Sequence, residues 1–133
     1  SGKISNHVSL VGQISEKGNL KVRKIKLDNF KHEKNVVGIK IDTEGHEYQA
    51  LKGARETLKK FLPDIIVEIN ENCFDQCLDF LREFGYIFYL INEQNKNLSL
   101  IKNFDSSFIK VGEGMNCLAT CKNSDEIKSF YLN

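Results

Sequence analysis

An excess of either charge is missing from this sequence: 19 Lys and Arg face 18 Asp and Glu, for a formal net charge of +1. Without a basic excess no long-range field gathers a polyanion, so nucleic acid is not an expected partner. Long apolar runs are missing too. None approaches the roughly 18 residues that a membrane-spanning helix needs, and the first residues lack the charged-then-apolar pattern of a secretory signal. No membrane partner is expected, and the location these absences suggest is cytoplasmic. Cysteine is sparse and poorly spaced for structural zinc. Cys73-x-x-x-Cys77 and Cys117-x-x-x-Cys121 differ from the two-residue spacing usual in such sites. On a helix the first pair shares a face one turn apart, whereas a strand would hold the second pair about 13 Å apart. The thiols are expected to be reduced and to behave as small buried hydrophobes.

What is present is a core-forming composition. With 41% hydrophobic and 28% charged residues in 133, the chain reads as one domain over 1–133, long enough to bury about two-thirds of its unfolded surface. It opens with Ser-Gly-Lys instead of Met, which suggests a part excised from something longer. Residues 1–30 read as a β-hairpin region. Val8, Leu10 and Ile14 alternate, a polar loop follows at 15–19, and Leu20, Val22, Ile25 and Leu27 form a second run whose phase slips as at a bulge. Residues 36–122 read as an α/β core. An apolar strand at 36–41 is followed by Tyr48, Leu51, Ala54, Leu58 and Leu62 at helical steps, stopped by Pro63. A second strand covers 64–69. Asn72 and Asp75 look like a cap and its partner for a helix that buries Phe74, Cys77, Leu78, Leu81 and Phe84 and stops at Gly85. Further strands are expected at 86–91, 98–101 and 115–121. Strands alternating with helices predict a mainly parallel sheet between helical layers, with a hairpin-like return at the end.

In such sheets ligands bind beyond the carboxyl ends of the strands. Asp42, Glu44, His46 and Glu47 crowd the end of the first core strand, and Glu68 and Asn70 the end of the second. Like charges gathered there need compensation. A cationic ligand, a metal, or a hydroxyl substrate giving its proton to a carboxylate or to His46 would supply it. The plain alternative is that Asp42 caps the following helix while Glu44 and Glu47 favour its positive N-terminal end. Lys40 either pairs with a nearby acid or carries its charge to the sheet edge. Gly53 inside the helix costs about 1 kcal/mol against Ala and marks close packing.

The stretch "GIKIDTEGHEYQALKGARETLKKFLPDIIVEIN" closely resembles the FkbM family of S-adenosylmethionine-dependent methyltransferases. That family's pattern runs Lys-Ile-Asp-x-Glu-Gly-x-Glu, then Leu-Lys-Gly-Ala, then Pro-x-Ile-x-x-Glu. Lys40, Asp42, Glu44, Gly45, Glu47, Leu51, Lys52, Gly53, Ala54, Pro63 and Glu68 match it. Upstream, "VRKIKLDNF" resembles the family's strand ending in Leu-Asp-Asp, and "GYIFYLI" with "MNCLAT" its final strands. The likeness covers roughly 20–122 and is specific within 36–70.

The resemblance implies an α/β Rossmann-like class I methyltransferase fold, of which this chain supplies the C-terminal part: a mostly parallel sheet, helices on both faces and a final antiparallel strand. It implies S-adenosyl-L-methionine as cofactor and, as partner, a small-molecule or glycan acceptor methylated on a hydroxyl. Asp42, Glu44 and His46 are the candidate catalytic residues. His46 stands where the family is variable, so its role as a base is read from residue type alone. Asp42 and Gly45 are assigned to the cofactor, and Lys40, Glu68 and Asn70 to the acceptor. The glycine-rich loop and ribose-binding acid of the fold's first half have no counterpart here, so residues 1–133 alone are expected to bind the cofactor at about millimolar strength at best. Two other readings stand beside this one. A non-catalytic module would associate through an unpaired strand edge at 36–41, with a homo-oligomer as one outcome. Asp42, Glu44 and Glu68 would alternatively hold a divalent cation, because they offer oxygen ligands.

Overall fold

On the strand Asp64–Ile69, Ile65, Val67 and Ile69 are fully buried while Ile66 between them is exposed. Successive side chains of a strand point to opposite faces, so one face meets a core and the other does not. The computed structural model describes residues 21, 23–103 and 114–131. Its elements are a 3-10 turn at Leu27–Asn29, strand β1 at Gly38–Ile41, helices α1 at Glu47–Lys52 and α2 at Arg55–Phe61, strand β2 at Asp64–Ile69, helix α3 at Phe74–Arg82, strands β3 at Ile87–Asn92, β4 at Asn97–Ile101 and β5 at Met115–Thr120, and helix α4 at Ser124–Tyr131. No helix among them is long and apolar enough to cross a membrane.

The strands form one sheet in the order β1-β2-β5-β3-β4. Only β1 and β2 pair in parallel; β2 with β5, β5 with β3, and β3 with β4 are antiparallel. The mainly parallel pairing expected from the sequence is therefore corrected. β1, β2 and β3 do run the same way, and the last strand is reversed, as was expected of a final antiparallel strand, but it enters between β2 and β3, a place not anticipated. Composition explains its place: Met115, Cys117, Leu118 and Ala119 are all buried, and a strand apolar on both faces belongs in the middle of a sheet. β1, with Gly38 and Lys40, forms an edge.

Two registered rows cross the sheet on one face. They are Ile39, Ile65, Ala119, Phe88 and Ile101, and beside them Ile41, Val67, Cys117 and Leu90. These residues pack in one cluster with Leu51, Leu58, Phe74, Leu78 and Leu81 from the first three helices. The opposite row is Lys40, Ile66, Leu118, Tyr89 and Leu100, where Ile66 and Leu100 are exposed. Helices α1, α2 and α3 thus serve a single face, and the two-sided helical cover expected from the sequence is not formed by them.

The helix expected from 48 to 62 is broken in two, for a reason supplied by residue 28. The Gly53 carbonyl accepts the Asp28 backbone N–H at 3.0 Å instead of continuing the helix. The Asp28 carboxylate then caps the next helix, accepting the N–H of Glu56 at 3.0 Å, the N–H of Thr57 at 2.9 Å and the Thr57 hydroxyl at 2.8 Å. It satisfies the N–H groups that every helix start leaves unpaired. Residues 23–26 join no sheet, so the described part of the expected second strand is absent; the expected strand at 8–14 and the loop at 15–19 lie outside the described residues. The 3-10 turn stands there instead. The N-cap of helix α3 is Cys73, without a side-chain cap bond, and not Asn72, whose N–H is taken by Asn70 Oδ1 at 3.0 Å. After Arg82 its C-terminal turn closes, as expected, at Gly85, where φ is +85°. Tyr86 is buried and donates its hydroxyl to the Pro63 carbonyl at 2.8 Å. Helix α4 was not anticipated, although Asn123 and Glu126 form a capping box: Asn123 Oδ1 accepts the N–H of Glu126 at 3.0 Å and Glu126 Oε2 that of Asn123 at 2.9 Å.

Burial raises the Asp28 carboxyl, but the bonds from Thr57 and Glu56 and the charge of Lys26 outweigh it and hold it below its usual range. Its stabilisation is present above the unfolded carboxyl value of about 3.9 and is lost as pH falls through the lower folded value. Asp28→Ala is expected to cost about 1–2 kcal/mol in urea unfolding at pH 7. The difference from wild type should shrink on the acid side of that value; a difference constant with pH would remove the carboxylate from the cap.

Candidate active site

Parallel pairing sets the strand ends of β1 and β2 side by side. Ile41 is registered with Val67, so Asp42, just past the end of β1, and Glu68, beside the last residue of β2, are lateral neighbours. Because side chains alternate, Lys40, Asp42 and Glu68 share the face opposite the helical core. Lys40 Nζ lies 2.8 Å from Asp42 Oδ2 with both side chains exposed. This settles Lys40 as the partner of a nearby acid, and Asp42 does not cap α1.

The charges act on one another. The hydrogen bond from Lys40, then its charge, keep the Asp42 carboxyl below the usual range. Glu68 moves the other way: burial raises it first, then the negative charges of Asp42 and Glu44, with Lys40 opposing and a hydrogen bond to Asp42 adding to the rise. Two neighbouring acids thus have opposite tendencies, one held ionised and one inclined to keep its proton, the pattern expected where acid and base roles are divided. Glu68 also lies against Gly114, where an added Cβ would come within 2.7 Å of Glu68 Cγ and closer still to Oε1. A larger residue there would require the Glu68 side chain to shift.

Between Asp42 and α1 the chain makes a tight turn. Glu44 has φ +50° and Gly45 φ +97°, so two consecutive residues are left-handed, a state costing a non-glycine residue about 1–2 kcal/mol. Glu47 holds this turn. Its side chain is 2% exposed, and its Oε1 accepts the N–H of Thr43 at 3.2 Å, the Thr43 hydroxyl at 3.1 Å and the N–H of Gly45 at 3.0 Å. Oε2 accepts the Cys73 thiol at 3.4 Å. Burial raises the Glu47 carboxyl, but its own N–H, that of Gly45, the Cys73 thiol and Thr43 together hold it below the usual range. Sequence reading left Glu47 out of the site. The signal that would have found it is a glutamate two residues after a glycine that itself follows an acid, at a strand-to-helix turn.

The remaining predicted residues are placed as follows. Glu44 is exposed at the turn. His46 is the N-cap of α1 without a side-chain cap bond, and its buried Nδ1 finds no hydrogen-bond partner. Asn70 is engaged in its own turn, through Asn72 and through a 3.4 Å bond from the Cys73 N–H to its carbonyl. Cys73, Cys77, Cys117 and Cys121 are free thiols, and all but Cys121 are buried. No group of three or more His, Cys, Asp and Glu among the described residues, Asp42, Glu44 and Glu68 included, is arranged to hold a metal ion.

A family model described as the methyltransferase FkbM domain matches residues 2–88. The chain belongs to the FkbM methyltransferase family. The FkbM match encloses β1 through α3, and with them every residue from Lys40 to Asn70 discussed above. Neither the curated proteins nor the solved structures contain a match to the chain.

Two outcomes follow for the site. Because the folded-state value of Glu68 is raised, its contribution to stability is present below the unfolded value of about 4.3 and is lost as pH rises through the raised one. Glu68→Gln, neutral at every pH, should therefore melt higher than wild type at pH 7 and no higher below pH ~4; a gain at both would assign the effect to packing. Gly45→Ala should cost about 1 kcal/mol by urea unfolding from backbone strain alone, since nothing lies within 4 Å of the added Cβ.

Proposed function

We infer that this FkbM domain takes part in methyl transfer from S-adenosyl-L-methionine to a hydroxyl oxygen of a small metabolite, sugar or glycan. The observation that carries the reading is the Asp42–Glu68 pair at the adjoining ends of β1 and β2. S-adenosylmethionine supplies an electrophilic methyl on a positively charged sulfonium and departs as the neutral thioether. The residues present suit that charge, because the exposed carboxylates of Asp42 and Glu44 are the groups a sulfonium would meet. The buried, unpartnered His46 Nδ1 is a polar atom for which a bound molecule would supply a partner.

Methylating a hydroxyl releases one proton, which the chain must accept. Glu68 is the group for it, because a base whose pKa is raised toward the working pH accepts a proton with more driving force than an ordinary carboxylate. Asp42, kept ionised by Lys40, contributes a fixed negative charge. Placing the acceptor oxygen and excluding water at this strand end supplies the remainder of the acceleration. This moves the base from His46, the sequence candidate, to Glu68, the acceptor contact.

The test is transfer of isotope-labelled methyl from S-adenosylmethionine to a panel of simple alcohols, monosaccharides and oligosaccharides. Glu68→Gln should lower kcat by about 10²–10⁴-fold, and Asp42→Ala should abolish turnover with an unchanged far-UV spectrum. Gly114→Ala, which displaces Glu68 without removing it, should fall between wild type and Glu68→Gln. Full activity in both carboxylate variants would take the pair out of the reaction, and label on nitrogen or sulfur would overturn the hydroxyl assignment.

A further inference from the structure

The family match concerns the whole domain, and the proposed chemistry uses Asp42 and Glu68; neither gives a task to the most buried carboxylate among the described residues. We propose that Glu47 is the positioning residue of this site, its carboxylate fixing the turn after β1 to the connection after β2 so that Asp42 is held facing Glu68. The inference rests on the reading of those two carboxylates as the working pair.

Three contacts converge on one oxygen. Glu47 Oε1 takes the Thr43 N–H, the Thr43 hydroxyl and the Gly45 N–H, donors from two of the four residues between Asp42 and α1. The other oxygen takes the thiol of Cys73, the N-cap of α3, which is bonded in turn to the Asn70 carbonyl. Asn70 follows β2 two residues after Glu68. A single buried side chain therefore spans the loops leaving both strands. The left-handed pair Glu44 and Gly45 would relax if released, because strained backbone persists only where its surroundings over-determine it. The side-chain hydrogen bonds of Glu47 go to Thr43, Gly45 and Cys73, and the charges acting on Glu68 come from Asp42, Glu44 and Lys40. Its influence on the pair runs through position.

Two conservative variants separate position from charge. Glu47→Gln keeps an oxygen where Oε1 stands and loses the charge; Glu47→Asp keeps the charge and withdraws it by one methylene. Both are milder than truncation, so folding can be checked by the NMR spectrum in which the result is read. In Glu47→Asp, the Thr43 and Gly45 amides should exchange at least about tenfold faster, and the Glu68 carboxyl carbon should titrate closer to the ordinary carboxyl range. Glu47→Gln should leave both near wild type. The reverse ranking would mean that the charge matters and the geometry does not, which overturns the proposal. So would a Glu68 titration unmoved in a folded Glu47→Asp. These readings need no substrate: absent methyl transfer in wild type would sink the functional reading while the titration still decides whether Glu47 positions the pair.

Discussion

The short parallel ladder between β1 and β2 is the constraint on which the rest depends. A parallel pair points both carboxyl ends the same way, whereas an antiparallel pair would send Asp42 and Glu68 to opposite edges of the sheet. The register of Ile41 with Val67 then makes those acids neighbours. A slip of one residue would turn one of them onto the helical face, where Ile65, Val67 and Ile69 leave no place for a charge. The hydrophobic core thus enforces the electrostatics of the opposite face. Every residue in the core row that favours this register also favours the carboxylate pair.

Local preferences give way at the points where this arrangement is built. The apolar period from Tyr48 to Leu62 would support one continuous helix, yet the chain breaks it at Gly53 because Asp28 offers the N–H for the interrupted carbonyl and the carboxylate for the new helix start. A cap reaching across the chain replaces the one that Ala54 lacks. The turn at Glu44 and Gly45 shows the same logic: backbone strain is accepted because Glu47 satisfies the N–H groups that the turn exposes, and a buried carboxylate is accepted because those groups satisfy it.

These compromises explain what was legible in the sequence. The α/β class, the elements near 38–41, 64–69, 74–82, 87–92, 97–101 and 115–120, and the clustering of acids at two strand ends follow from apolar periodicity and from Gly and Pro as punctuation. Strand order was not legible, since periodicity records which faces are buried and not which strand lies beside which. The helix break was missed because its cause sits 25 residues upstream of Gly53. Glu47 was missed because a glutamate in the first turn of a helix is ordinarily explained by the helix dipole, and its burial appears only when the turn before it folds back. Capping was misplaced at Asn72, whose local pattern was sound, because Asn70 reaches its N–H first.

The site carries its own opposition. Asp42 and Glu44 disfavour a charge on Glu68, and burial disfavours it further, so the folded protein is less stable with Glu68 ionised than it would be with a neutral group there. Lys40 opposes that tension only in part, being 60% exposed and hydrogen-bonded to Asp42. A surface pair of this kind contributes little stability in water, yet it fixes which of the two acids holds the charge. Binding a cation beside Asp42 and Glu44 would stabilise both anions and lower the resistance of Glu68 to ionisation. Binding an acceptor hydroxyl would give the ionised Glu68 a hydrogen-bond donor. On the proposed reading, both ligands of a methyl transfer would relieve the same unfavourable charge, and each would make the site better suited to the other, because interactions at a common group couple binding events reciprocally.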